Sequence, residues 1–217
     1  MGIAVLVIGE SGSGKTASLR NFLENDVSIL NVASKPLPFR NKNKLKMANK
    51  ATYSMIKGAV SSGRTPSYVI DDAQYLMAFE SFDKVNETGY TKFTQMAKNY
   101  EEMLRYIQEE TDPNVIVYVL QHIDKDEDGK IKAKTLGKML DQQLTVEGLF
   151  SIVLLAQTDG KRHYFVTQSD GMNPCKSPME MFDEVEIDND LKMVDDTIRD
   201  YYGLEKTVAK KTVKKTN

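Results

Sequence analysis

The sequence predicts an α/β fold: a mainly parallel sheet, helices on both faces, and a β-hairpin extension at the C-terminal end. Three observations predict it. Continuous apolar runs at residues 3–8, 68–70 and 115–120 read as strands buried on both faces. Helix-spaced segments fall between them, and strand–helix alternation builds a parallel sheet. After Gln121 the pattern changes to short strands separated by turn residues.

Taken in order, Ile3-Ala-Val-Leu-Val-Ile8 is a strand closed by Gly9, and a helix is expected from Lys15 to Asn25. Val27 to Ala33 reads as the second strand. The prolines of Lys35-Pro-Leu-Pro-Phe39 break both helix and central strand, so a loop follows. Leu45, Ala48, Met55 and Ala59 keep helical spacing and predict a helix over 44–60, ended by the turn cluster Ser61 to Pro66. Tyr68-Val-Ile70 leads into Asp71-Asp72 as the third strand. The clearest helix carries Phe93, Met96, Ala97, Tyr100, Met103, Leu104 and Ile107 on one stripe and stops at Asp112-Pro113. Val115 to Leu120 is another strand. Residues 130–134, 149–157 and 163–168 read as strands, the last two joined by Thr158-Asp-Gly-Lys161. A final helix over 189–202 places Leu191, Val194, Ile198 and Tyr201 on one face. The expected organisation is one domain over 1–204 and a disordered lysine-rich tail over 205–217.

Composition narrows the function. Among 217 residues, 29 basic against 31 acidic side chains leave a net charge of −2, which excludes a uniformly basic nucleic-acid coat. Charge is nonetheless segregated. Residues 33–70 hold eight bases and no acid, while residues 180–200 hold nine acids against Lys192 and Arg199. Such blocks suit partner-facing surfaces and equally suit solvated faces. Cys175 is the single cysteine, so neither an internal disulfide nor a multi-cysteine zinc site is available, and it is expected to pack. No apolar run reaches membrane-spanning length and no signal segment is read, so a cytoplasmic protein with no membrane contact is expected.

The chemistry is concentrated early. Gly9-Glu10-Ser11-Gly12-Ser13-Gly14-Lys15-Thr16 fits G-x-x-x-x-G-K-[ST] at every fixed position, between a buried strand and a helical pattern. Glycines let backbone N–H groups close around phosphate oxygens. Lys15 is expected on the β- and γ-phosphates and the Thr16 hydroxyl on Mg²⁺. A carboxylate on a neighbouring strand should complete the metal site, and Asp71 is the candidate. Asp72 is the candidate for polarising the attacking water, although glutamate is usual there and aspartate is one methylene shorter. Gln74 is a second candidate for that role, and capping of the next helix is the competing reading of Asp72. Asp124-Lys-Asp-Glu-Asp-Gly129 copies the start of an EF-hand loop, but Thr135 stands where its bidentate glutamate belongs, and a strand precedes it. A charged turn is the better reading.

The loop, Val69-Ile-Asp-Asp-Ala-Gln-Tyr-Leu76, Val117-Tyr-Val-Leu-Gln-His122, the 169–178 stretch and the closing 187–194 segment together resemble the small phage-encoded ATP-binding proteins with a RecA-like core, among the single-strand annealing recombinases. The resemblance covers roughly residues 3–202 and implies a P-loop NTPase fold, ATP and Mg²⁺ as ligands, self-assembly into a ring or filament, and action on single-stranded DNA, often beside a single-strand binding protein. In P-loop ATPases of the RecA and AAA types, a polar residue at the end of the strand after the acidic one senses the γ-phosphate. That makes Gln121 the candidate, with His122 beside it. RecA-like assemblies also insert a basic residue into a neighbour's ATP site, and Lys176 is placed for that. A nucleoside or nucleotide kinase and a nucleotide-switch loader of another DNA-processing protein are the alternative functions. The six scattered arginines speak against a kinase lid.

Overall fold

A computed structural model describes residues 2–137, 140 and 144–205. The expected tail beyond residue 205 lies outside the described residues. β1 (Ile3–Gly9), β2 (Val27–Asn31), β3 (Lys46–Asn49), β4 (Ser67–Asp71), β5 (Ile116–Lys125), β6 (Ile131–Ala133), β7 (Ile152–Thr158), β8 (His163–Val166) and β9 (Glu186–Asp188) form one sheet. Its order is β3-β2-β4-β5-β1-β7-β8-β9, with β6 paired to β5. From β3 to β7 every neighbouring pair is parallel, and β8 and β9 are added antiparallel.

Alternation along β1 divides the core. Leu6 and Ile8 join the layer formed by α1 (Tyr53–Ser62), α2 (Tyr75–Asp83) and α3 (Thr91–Glu110). Val5 and Val7 join Leu19, Phe22 and the Leu191, Val194 and Ile198 face of α4 (Leu191–Tyr202). A sheet covered on both faces explains why its strands read as unbroken apolar runs.

α4 is fixed by charge as well as by packing. The Arg199 Nε donates to Asp195 Oδ2 at 2.8 Å, and the other Asp195 oxygen accepts from Ser67 Oγ and Tyr118 Oη. The guanidinium also donates to the carbonyls of Asn114 and Pro66. Each charge is thus hydrogen-bonded on several sides, as buried ions require. These contacts tie α4 to the N-terminal ends of β4 and β5.

Several expected elements differ. The helix of 15–25 is a 3₁₀ helix of six residues, Thr16–Asn21, followed by extended Phe22. Arg20 donates to the Asn189 carbonyl and Asn21 to the Asp190 carboxylate, so packing onto the start of α4 replaces continuation of the helix. The helix of 44–60 is instead the edge strand β3 and the shorter α1. Lys50 has φ +54°, and the Thr52 hydroxyl accepts from Met55 N, which starts the helix after the strand has paired with β2. β5 runs five residues beyond the expected Leu120. α2 entered the sequence reading only as the helix Asp72 would cap, β9 had no sequence expectation, and the strand expected from Leu149 starts at Ile152, after a 3₁₀ turn at Val146–Leu149.

Candidate functional site

β1 delivers the chain to the 9–16 loop at the C-terminal end of the parallel strands, where open α/β sheets hold their ligands. Gly12 and Gly14 have φ of +80° and +98°, values that favour glycine. A Cβ on Gly9 would lie 2.5 Å from Ser13 Oγ and 2.6 Å from the Ala156 carbonyl oxygen, so the strand end admits no side chain. The Lys15 ammonium turns inward and donates to the carbonyl oxygens of Gly9 at 2.7 Å and Glu10 at 2.8 Å. Burial pulls its pKa down to about 8, against the pull of Asp72 and Asp71. Ser13 Oγ is buried and has no hydrogen-bond partner among the described residues. The loop therefore holds a buried cation on internal carbonyls, a donor suited to phosphate oxygens, while Ser13 lines a separate cavity with Gln157 and Tyr164.

The acidic pair enters from β4. The Thr16 hydroxyl donates to the Asp71 carboxylate at 2.9 Å, joining residues 55 apart in sequence. Burial, and then the neighbouring Asp72 charge, push the Asp71 carboxyl up to about 6. Asp72 follows in the left-handed region at φ +62°. One of its oxygens accepts from Lys35 Nζ at 2.6 Å and the other lies 3.3 Å from His122 Nε2. Burial alone would raise the Asp72 carboxyl, but the contacts with His122 and Lys35 outweigh it and hold the group near 2. Asp72 does not cap α2; its carboxylate points to these two partners.

A cavity of about 340 Å³ collects these groups: Lys15, Thr16, Asp71 and Asp72, with Lys35, His122 and His163. Other sequence candidates point elsewhere. Gln121 is fully buried; its Oε1 accepts from Tyr100 Oη at 2.6 Å and its Nε2 donates to the Lys134 carbonyl. Its side chain lies among the helices of the α3 layer, and its neighbour His122 faces the cavity instead, because successive residues on a strand face opposite ways. Gln74 spends its carbonyl oxygen on the His122 backbone N–H at 3.2 Å, which fixes the end of β5. Lys176 forms a backbone bridge with Val153 and does not line the cavity.

Lys35 and His163 had no site assignment from the sequence. Lys35 follows β2 in a proline-broken loop, a position with no motif. His163 Nδ1 lies 3.1 Å from the Ser13 carbonyl oxygen, a contact set only by how β8 folds back along β7. The acidic turn after β5 is a plain hairpin: Asp126 Oδ1 accepts from the N–H groups of Asp128 and Lys130, and Gly129 takes φ +78°. Cys175 is buried, and burial pushes its thiol up to about 12. Among the described residues, no helix is long and apolar enough to cross a membrane. No protein-family model matches the chain, and no curated protein matches it.

Proposed function

We propose that the chain is a P-loop protein of RecA-like build that binds and hydrolyses ATP with Mg²⁺ and acts on single-stranded DNA. The observation that carries the nucleotide reading is the Thr16–Asp71 contact at 2.9 Å, beside a glycine loop with a buried lysine. A hydroxyl and a carboxylate with phosphate oxygens is the usual Mg²⁺ environment of nucleotide sites. The strand order supports the RecA-like reading: β5 lies between β1 and β4 and brings His122 to the cavity between loop and acids.

In this reading Lys15 leaves the Gly9 and Glu10 carbonyls for phosphate oxygens, at little cost because one set of charge-assisted hydrogen bonds replaces another. Thr16 and Asp71 would hold Mg²⁺, which when bound draws charge off the β- and γ-phosphates. With Lys35 and His122 both on it, Asp72 is held at about 2 and is a poor proton acceptor near neutral pH. It serves better to orient water than to deprotonate it. That same observation favours a second reading, a slow nucleotide switch that loads another DNA-processing protein.

Two surfaces support the partner assignments. Lys42, Lys44, Lys46 and Lys50 are exposed along and beside the β3 edge, where phosphates of a single strand would meet them. The opposite edge, β9, exposes Asp188 and Glu186, the latter ion-paired with Arg162. Opposite charge on opposite edges disfavours like edges meeting and favours head-to-tail self-assembly, ring or filament, which added salt would loosen in light scattering. Lys176 as a residue inserted into a neighbour's site, and a single-strand binding protein as companion, remain parts of this proposal.

Calorimetric titration with ATP and Mg²⁺ tests the nucleotide site. Wild type is expected to bind, and Asp71→Asn to bind ATP with much weaker dependence on Mg²⁺. Equal Mg²⁺ dependence in both proteins would remove Asp71 from the metal site.

A further inference from the structure

Lys35 is the second lysine of the cavity, and nothing in the loop motif assigns it a task. Its backbone is confined: Ser34 before it has φ +57°, and Pro36 and Pro38 follow it. Its side chain is 56% exposed, whereas that of its partner Asp72 is only 8% exposed. The Lys35 ammonium also stands 5.2 Å from the Tyr75 ring centroid. Asp72 keeps a second partner, His122 Nε2 at 3.3 Å, if Lys35 leaves. The pair thus joins an exposed lysine to a buried carboxylate that His122 continues to hold when the lysine leaves.

Position gives the pair a ligand. Thr16 and Asp71 mark where Mg²⁺ and the middle phosphates would lie in the reading above. Asp72 comes one residue further along the chain from β4, Lys35 reaches it from the loop after β2, and both line the same cavity. A diphosphate on the 9–16 loop lacks the last phosphate that would fill this part of the cavity.

We infer that Lys35 is the specificity residue for the terminal phosphate of a nucleoside triphosphate, and that Asp72 is its resting partner in the empty and diphosphate states. This rests on the reading of the 9–16 loop as the phosphate site. A γ-phosphate draws the Lys35 ammonium off Asp72, which then stays on His122. The site would therefore tell a triphosphate from a diphosphate through one cation that the motif does not contain.

The experiment measures affinity for ATPγS and for ADP, each with Mg²⁺, by calorimetry on wild type and on the Lys35→Ala, Lys35→Arg, Asp72→Asn and Lys15→Ala variants. Lys35→Ala is expected to weaken ATPγS about tenfold and to leave ADP within about twofold, since one charge-assisted contact to phosphate is lost. Lys35→Arg should recover most of the loss. Asp72→Asn should strengthen ATPγS several-fold by freeing Lys35. Equal weakening of both nucleotides in Lys35→Ala, or of neither, overturns the assignment. Loss of both nucleotides in Lys15→Ala beside an unaffected Lys35→Ala overturns the Lys35 role alone. Failure of wild type to bind either nucleotide overturns the loop reading and the Lys35 role together. A melting temperature within about 2 °C of wild type shows that each variant is folded.

Discussion

Asp71 and Asp72 are adjacent carboxylates whose surroundings push them in opposite directions. Asp71 is raised from 3.8 to about 6 by burial and by its neighbour's charge, while Asp72 is lowered to about 2 by His122 and Lys35. For Asp71 the folded chain keeps a proton that the unfolded chain releases. Its contribution to stability is therefore fullest below pH 3.8 and is lost as pH rises through about 6. At pH 8 the nucleotide-free protein carries that cost, on the order of 1–3 kcal/mol. Asp71→Asn should raise the melting temperature at pH 8 more than at pH 5, while weakening Mg²⁺-dependent nucleotide binding. Thermal unfolding at the two pH values checks this, and an equal change at both would contradict it. A functional group that costs stability in the empty site is the common trade between activity and stability. At this scale the placement of Lys15 and Thr16 was legible from the loop motif and that of Asp71 from an apolar strand ending in acids, and the structure brings the three to one cavity. The sequence was not legible for Gln121 against His122, because which of two adjacent strand residues faces the cavity depends on how β5 sits in the sheet.

Elements were readable where burial pattern alone decides them. The α3 helix buries Met96, Ala97, Tyr100, Met103, Leu104 and Ile107 of its expected stripe, while Phe93, in its first turn, stays exposed. β1, β4 and β5 carry the apolar runs of strands covered on both faces. The β3 strand hid inside a helical spacing because its four residues are half-exposed at a sheet edge, where alternation is weak and pairing with β2 decides the conformation. The 3₁₀ helix after the loop is set by contacts with α4, some 170 residues later, which no local pattern reports. α4 also supplies an element-scale test. The Arg199–Asp195 pair is buried, with side chains 4% and 6% exposed. Arg199→Ala leaves Asp195 charged and short of its partner, which should cost roughly 3–5 kcal/mol in chemical denaturation. Arg105→Ala, which breaks the exposed pair with Glu101, should cost under about 1 kcal/mol. Similar losses in both would show that the buried network does not anchor α4.

At the scale of the whole molecule, the α/β class with a mainly parallel sheet followed from the alternation of runs and helices, but the order of the strands did not. Sequence order says nothing of β5 entering between β1 and β4. That insertion assembles the cavity from the ends of β1, β4 and β5, with Lys35 arriving after β2 and His163 from β8. It also leaves a basic edge at β3 and an acidic edge at β9, which the linear charge blocks foreshadowed without placing. The proposed function joins the site to the lysines beside β3 by having nucleotide turnover answer to a nucleic-acid strand. The most direct measurement is the steady-state rate of ATP hydrolysis by wild type and Lys15→Ala, each with and without single-stranded DNA. A DNA-stimulated rate in wild type that falls at least about tenfold in Lys15→Ala is the predicted result. Hydrolysis that persists unchanged in Lys15→Ala, or that DNA leaves untouched, would contradict it.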